Sequence, residues 1–237
     1  MSSLYGASGK LLRVDLTNKK ITTEEIPEIL FKRYLGGNTL GLYYLLKEQK
    51  GGLDPLSPEA MLVFMTSFIT GTHGPGLSRF SIVGKSPLTG GYGETEAGGW
   101  WGPELKFAGF EGIIITGKAD EPVYLSIKDG EAELKSAKNH WGVKLREASA
   151  AIKEELGDPK TRALLIGEAG EKMSSYACVI NELKHANGRL GIGAVMGSKN
   201  LKAIAVRGTN RKLPVYDEER VKAIVRDNYA EFKEIPN

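Results

Sequence analysis

The sequence predicts an α+β fold built from two β-rich units related by an internal duplication. Three observations predict it: one order of elements occurs twice, the apolar runs are short with few helices between them, and glycine is clustered. The 237 residues include 30 glycines within an ordinary 41% hydrophobic and 26% charged composition. That combination implies ordered turns and close backbone approach rather than disorder.

The first copy opens on residues 11–16, the turn Thr17-Asn18-Lys19 and a second strand around Ile21. The second opens on residues 123–127, Lys128-Asp129-Gly130 and residues 131–134; Asp-Gly between alternating runs is a strong hairpin signal. Each hairpin leads into helix. In copy one this spans residues 27–50, interrupted at Gly36-Gly37, with Pro27 suited to a first turn. In copy two Leu145, Ala148, Ile152 and Leu156 recur at helical spacing over residues 143–156, and Gly157 and Pro159 end the run. Short strands follow, residues 62–65 and 79–83 in one copy, 163–166 and 177–180 in the other. Each copy then reaches a glycine-rich loop, a short helical stretch and a closing strand, so that residues 102–117 align with 193–208 at a constant offset. Strands with so few helices argue against a doubly wound parallel sheet. From Leu213 the pattern changes: Pro214 precedes a charged helical stretch, residues 217–233. The division expected is a domain over residues 1–210, with 211–237 a linker and the first helix of a further region.

The net charge of +3, with acidic and basic residues interleaved, argues against nucleic acid as a partner. No apolar run approaches the roughly 18 to 20 residues of a membrane span. The polar stretch Met1 to Tyr5 lacks the core of a signal peptide, and a cytoplasmic location is expected. A single cysteine, Cys178, excludes an intramolecular disulfide and any multi-thiolate site of this chain. Set in Tyr176-Ala177-Cys178-Val179-Ile180, it reads as a buried structural thiol. His73, His140 and His185 show no metal-ligand spacing.

Chemistry concentrates in two loops, Gly98-Gly99-Trp100-Trp101-Gly102-Pro103-Glu104 and Asn187-Gly188-Arg189-Leu190-Gly191 continuing to Gly197. Glycine-rich loops entering helices expose backbone N–H groups suited to phosphate; the same composition also makes tight structural turns. The second loop is one residue too long for the dinucleotide fingerprint, and Gly193 to Lys199 misses the Walker spacing. Arg79 and Arg189 are the natural charged partners for a phosphate, although each alone also reads as a surface ion-pair residue. Trp100 and Trp101 suit either a flat heterocycle or core packing. Glu94, Glu96 and Glu104 surround the first loop, yet no nucleophile–base constellation is present. The chain offers a place to hold something and no machinery to transform it.

The run Gly71-Thr72 … Ser78-Arg79-Phe80 … Lys85-Ser86-Pro87-Leu88-Thr89-Gly90, the loop Gly98-Gly99-Trp100-Trp101-Gly102-Pro103-Glu104-Leu105-Lys106-Phe107-Ala108-Gly109, and Gly188-Arg189 … Gly191-Ile192-Gly193-Ala194-Val195-Met196-Gly197-Ser198-Lys199-Asn200-Leu201-Lys202-Ala203 resemble the aldehyde ferredoxin oxidoreductase family. The likeness covers about residues 8–210. It implies a duplicated β-rich N-terminal domain, a platform for tungsten, or molybdenum, held by the dithiolenes of two pterin cofactors, with magnesium bridging their phosphates. By motif position it implies cofactor contacts at Arg79, Glu96, Ala97, Gly98, His185, Ala186, Gly188 and Arg189, the backbone carbonyls of Glu96 and Ala186 facing magnesium. Two positions depart from the family pattern: glutamate stands at 96 in place of asparagine, and histidine at 185 in place of arginine. A backbone contact is indifferent to the first change; the second removes a fixed positive charge that only a protonated histidine restores.

The resemblance implies oxidation of aldehydes to carboxylic acids, with ferredoxin as electron acceptor, by a larger enzyme. Its [4Fe–4S] cluster and acid–base residues would lie in the remaining domains or a partner chain, since one cysteine cannot hold a cluster. Alternatives are a stand-alone pterin-binding module without catalysis and part of the large subunit of a tungsten-dependent aromatic thioester reductase.

Overall fold

The computed structural model describes residues 5–234; residues 1–4 of the polar N-terminal stretch and residues 235–237 lie outside them. The first half runs β1 (Lys10–Asp15), β2 (Lys20–Glu25), α1 (Glu28–Tyr34), α2 (Gly37–Glu48), β3 (Leu62–Thr66), β4 (Phe80–Lys85), β5 (Tyr92–Ala97), α3 (Trp101–Phe107) and β6 (Gly112–Thr116). The second runs β7 (Val123–Lys128), β8 (Glu131–Ser136), α4 (Leu145–Glu155), β9 (Arg162–Ile166), α5 (Glu168–Glu171), β10 (Val179–Asn181), β11 (His185–Asn187), α6 (Ile192–Ser198) and β12 (Leu201–Arg207), followed by α7 (Glu218–Glu234).

Each half forms a six-stranded sheet of one topology, β2-β1-β6-β3-β4-β5 in the first and β8-β7-β12-β9-β10-β11 in the second. Only β1/β6 and β7/β12 pair in parallel; every other pair is antiparallel. Helices α3 and α6 occupy residues 101–107 and 192–198, the constant offset seen in the sequence. The duplication therefore holds at the level of topology. The sequence reading passes over β5 and β11, and the reason is compositional. In β5, Gly93, Thr95 and Ala97 face inward while Tyr92 and Glu96 face out, so no apolar run marks the strand. The three residues of β11, His-Ala-Asn, are too few for a period.

Strand alternation divides the apolar side chains into three cores. Leu12, Val14, Leu62, Phe64, Ile113 and Ile115 of the first sheet meet Leu125, Ile127, Leu164, Ile166, Ile204 and Val206 of the second in one central core. The intervening residues face outward: Leu11, Val63, Met65 and Ile114 under α1 and α2, and Tyr124, Ala163, Leu165, Ala203 and Ala205 under α4. Helices α3 and α6 lie between the sheets with every residue buried. Trp101 packs 4.7 Å from Phe80, centroid to centroid, and its indole N–H donates to Ile204 O of the other half at 3.0 Å.

The loops that enclose these helices carry buried carbonyls of their own, and lysines in or next to the helices satisfy several of them. Lys106 donates to Ser67 O at 2.7 Å and to Gly6 O, beside Glu111 at 3.5 Å. Lys199 donates to Pro58 O and Gly117 O at 3.0 and 3.1 Å, and Lys202 pairs with Glu171. The Walker-like lysine thus serves the interior and faces neither glycine-rich loop. Glu104 likewise leaves the carboxylate group expected around the first loop: it is fully buried, holding Arg207 at 2.8 Å and the Gly208 N–H at 3.1 Å. Gly193 and Gly197 prove helical rather than part of a loop, which ends at Gly191.

Helix α7 folds back so that Val225 is buried against Gly74, and Gly6 N donates to Pro214 O at 2.7 Å. Among the described residues no helix is long and apolar enough to cross a membrane.

A Cβ at Gly197 would overlap Gly170 O in α5. Gly197→Ala is therefore expected to destabilise the chain by about 3 kcal/mol, the upper range for overpacking, read as a fall in thermal midpoint. Burial lowers the Lys199 ammonium from its ordinary 10.5 to about 8. Below pH 8 both folded and unfolded states are protonated and the folded state carries the full cost of the buried charge. Between about pH 8 and 10.5 the unfolded state binds more protons, so this cost fades as pH rises. The stability of the wild type relative to Lys199→Met is expected to rise by about 3 kcal/mol across that window, measured by denaturant titration at each pH.

Candidate cofactor-binding site

The two sheets meet along their edge strands. Asn187 of β11 is fully buried and its amide N–H donates to Thr95 O of β5 at 3.1 Å. Asn181, also fully buried at the end of β10, donates to Gly98 O at 3.2 Å. The Oδ1 atoms of both asparagines have no hydrogen-bond partner among the described residues. Edge strands ordinarily expose unpaired backbone groups; here part of the β5 edge and the residue after it are satisfied by side-chain amides of the other half. Both glycine-rich loops leave this seam, one after β5 and one after β11.

Arg79 lies at the entry to β4, exposed, with Nη1 3.9 Å from Glu96 Oε2. Glu96 also accepts from Ser81 Oγ at 3.3 Å. An ion pair that long and exposed contributes at most about 1 kcal/mol, so Glu96 does not tie Arg79 down. Ala97 is buried opposite Phe80 in the ladder. At Gly98 an added Cβ would lie 3.5 Å from Ser78 Oγ and 4.0 Å from His185 Nδ1, so Gly98 and His185 face each other across the seam. Ala186, Gly188 and Arg189 follow on the exposed side. A Cβ at Gly188 would meet nothing nearer than 3.7 Å, where Ala186 Cβ and Cys178 Sγ lie. All eight sequence-predicted positions thus line the seam or the strand ends that flank it. Beside Arg79 and Glu96 opens a cleft of about 370 Å³, bounded also by Arg33, Asn38 and Ser67.

Gly99 differs from Gly98 and Gly188. It adopts φ +89°, and a Cβ there would strike Asn181 and His185, so it is a close-packed turn. The glycines of this region divide into those that pack protein and those that leave open space.

Other expectations are revised. Trp101 belongs to the core, whereas Trp100 is 53% exposed under the Arg162 guanidinium, 6.0 Å from its ring centroid. Cys178, expected buried, is half-buried: Ala177 and Val179 take the inward positions and Cys178 falls on the other face beside Gly188. The reading also missed Asn181 and Glu182, whose signal was polar residues directly ending the apolar run 177–180, and it placed Asn187 in the second loop without its role at the seam. Among the described residues no three His, Cys, Asp or Glu side chains are grouped to hold a metal ion.

The family model for the aldehyde ferredoxin oxidoreductase N-terminal domain matches residues 11–208. The tungsten-containing aldehyde ferredoxin oxidoreductase of Pyrococcus furiosus is 43% identical over 98% of this chain, and that of Pyrococcus abyssi 45%. An aliphatic sulfonate oxidoreductase, WOR-like subunit, of Pyrococcus furiosus is 41% identical over 97% of the chain. The active site complex BamBC of benzoyl coenzyme A reductase, solved with 1,5 dienoyl-CoA, superposes with a TM-score of 0.94 at 35% identity, covering 97% of this chain and 35% of that one. The chain spans 38% of the length of the two aldehyde ferredoxin oxidoreductases. With its duplicated sheets and the seam between them, this chain belongs to the aldehyde ferredoxin oxidoreductase family and carries that family's N-terminal domain.

Proposed function

We propose that the chain is the cofactor seat of a tungsten-dependent oxidoreductase that oxidises aldehydes to carboxylic acids with ferredoxin as electron acceptor. The observation that carries this reading is the convergence of Arg79, Gly98, His185, Ala186, Gly188 and Arg189 on one seam. The residues present fit a bis-pterin group. Gly98 and Gly188 leave room for a ligand against the backbone, and Arg79 and Arg189 are exposed for bidentate phosphate contacts. The dithiolenes would supply the metal's sulfurs, which a chain with one cysteine does not.

In this reading Arg79 and Arg189 neutralise the pterin phosphates, and the loop amides at Gly98 and Gly188 orient them. The backbone carbonyls of Glu96 and Ala186 would hold magnesium, and His185 would add a hydrogen bond, or a charge when protonated. When bound, tungsten, or molybdenum in its place, supplies the two-electron redox chemistry. Substrate pocket, [4Fe–4S] cluster and ferredoxin contact belong to the remaining domains or a partner chain. A second reading, supported by the BamBC likeness, places the same seat in a reductase of aromatic thioesters. The two differ in the substrate turned over by the assembled enzyme.

Produced with its neighbouring domains in a host that makes tungstopterin, the wild type is expected to retain tungsten and pterin through purification. Arg79→Ala combined with Arg189→Ala should lose both; retention would overturn the seat. Gly98→Ala and Gly188→Ala should keep their folding free energy within about 0.5 kcal/mol yet retain less pterin, because the new methyl enters ligand space. Metal analysis and calorimetry on the same preparations separate the two effects.

A further inference from the structure

The two hairpin tips next to the seam each reach into the opposite half. Ser86 is the first residue after β4, and Glu182 the first after β10, equivalent places in the duplicated topology. The Ser86 hydroxyl donates to Leu190 O at 2.8 Å. The Glu182 carboxylate accepts from the Trp100 N–H at 2.9 Å. The 99–100 and 190–191 peptide groups correspond under the 91-residue offset that relates α3 to α6. One half thus holds this peptide by its N–H and the other by its C=O.

Local sequence explains why Glu182 is needed. Trp100 is the N-cap of α3 and has no side-chain cap. In a capping box the third helical residue returns an acid to the N-cap N–H, but here that residue is Pro103. Glu182 supplies the acid from the other half. Arg162 stands 3.7 Å from the same carboxylate oxygen, so the contact adds no uncompensated negative charge beside the seat. To place the carboxylate there, the turn holds two consecutive non-glycine residues in the left-handed region, Glu182 at φ +53° and Leu183 at +59°. Such strain persists only where surrounding contacts enforce it.

We infer that Glu182 is a positioning residue for the first cofactor loop: its carboxylate, supplied across the pseudo-twofold, fixes the Gly98–Trp101 backbone in the shape that receives one pterin phosphate. This rests on the cofactor reading for what the loop binds, but not for what holds the loop. Ser86 performs the reciprocal task for the second loop.

The test uses the chain assembled with its neighbouring domains, with two readouts. Glu182→Gly removes the carboxylate while relieving the strained φ, so lost folding does not confound it. Amide hydrogen exchange at Gly99, Trp100 and Trp101 should quicken about tenfold, the loss of one hydrogen bond to a charged acceptor, and pterin per chain should fall. Glu182→Gln, which keeps an acceptor for the Trp100 N–H, should restore both in large part. Leu183→Gly, which relieves strain without touching the carboxylate, should raise the thermal midpoint and leave exchange and pterin unchanged. Unchanged exchange at the loop in Glu182→Gly overturns the inference, whether or not the wild type carries cofactor. So does pterin content equal to wild type in a wild type that loads. Failure of the wild type to load counts against the cofactor reading alone, and the exchange readout still decides the role of Glu182.

Discussion

The constraint on which the rest depends is the burial of α3 and α6 between the two sheets. Two seven-residue helices enclosed on every side cannot draw on water for their terminal backbone groups. Their ends are closed by backbone turns and by Glu182 at the Trp100 N–H, while the lysines in and beside them reach out to the carbonyls of surrounding loops and Glu104 holds the Arg207–Gly208 end of β12. Close approach at Gly197 and Gly99 does the remaining work. Each helix must enter the interior by a sharp turn from an edge strand, and those two turns are the glycine-rich loops. The seam is therefore a by-product of how the core is closed.

Charge is distributed accordingly. Among the described residues, two of the three buried lysines are matched by carboxylates within the chain, Lys106 with Glu111 and Lys202 with Glu171, and the third, Lys199, by carbonyl oxygens alone. Around the seam the opposite holds. Arg189 lies exposed and Arg79 has only a distant carboxylate for company. Strongly paired arginines would have to surrender those contacts to meet an anion, whereas exposed ones give up little more than water. This contrast separates the motif positions that build the domain from those left free at the seam. It also shows why one family signature contains both kinds: Lys199 and Lys202 follow Arg189 by 10 and 13 residues and serve the interior.

The duplication was legible because hairpins, turn chemistry and strand alternation are local. Asp129-Gly130, the break at Gly36-Gly37 and the spacing of Ala148 and Ile152 report their own conformations. The proposed seat was read only through the resemblance. Nothing in the spacing of Gly98 and His185 announces that residues 87 apart in sequence face each other, since that contact depends on edge strands with no apolar period. Glu104 misled for a related reason. A carboxylate next to tryptophans and glycine looks like a site group until the tertiary fold supplies Arg207. Cys178 looked internal because an apolar pentapeptide hides which of its faces is covered.

The two halves share a topology but not a charge pattern. Arg79 precedes β4, and the equivalent place before β10 is Cys178; Arg189 follows β11, and its counterpart under the repeat offset is Gly98. Each half has kept one cation where the other has none, so the pseudo-twofold relates shapes and not potentials. Two chemically identical occupants of such a seat would be inequivalent from the moment they bound. They would titrate and dissociate in sequence, and the degeneracy that a true dimer imposes on its ligands would be lifted by the drift of a single chain.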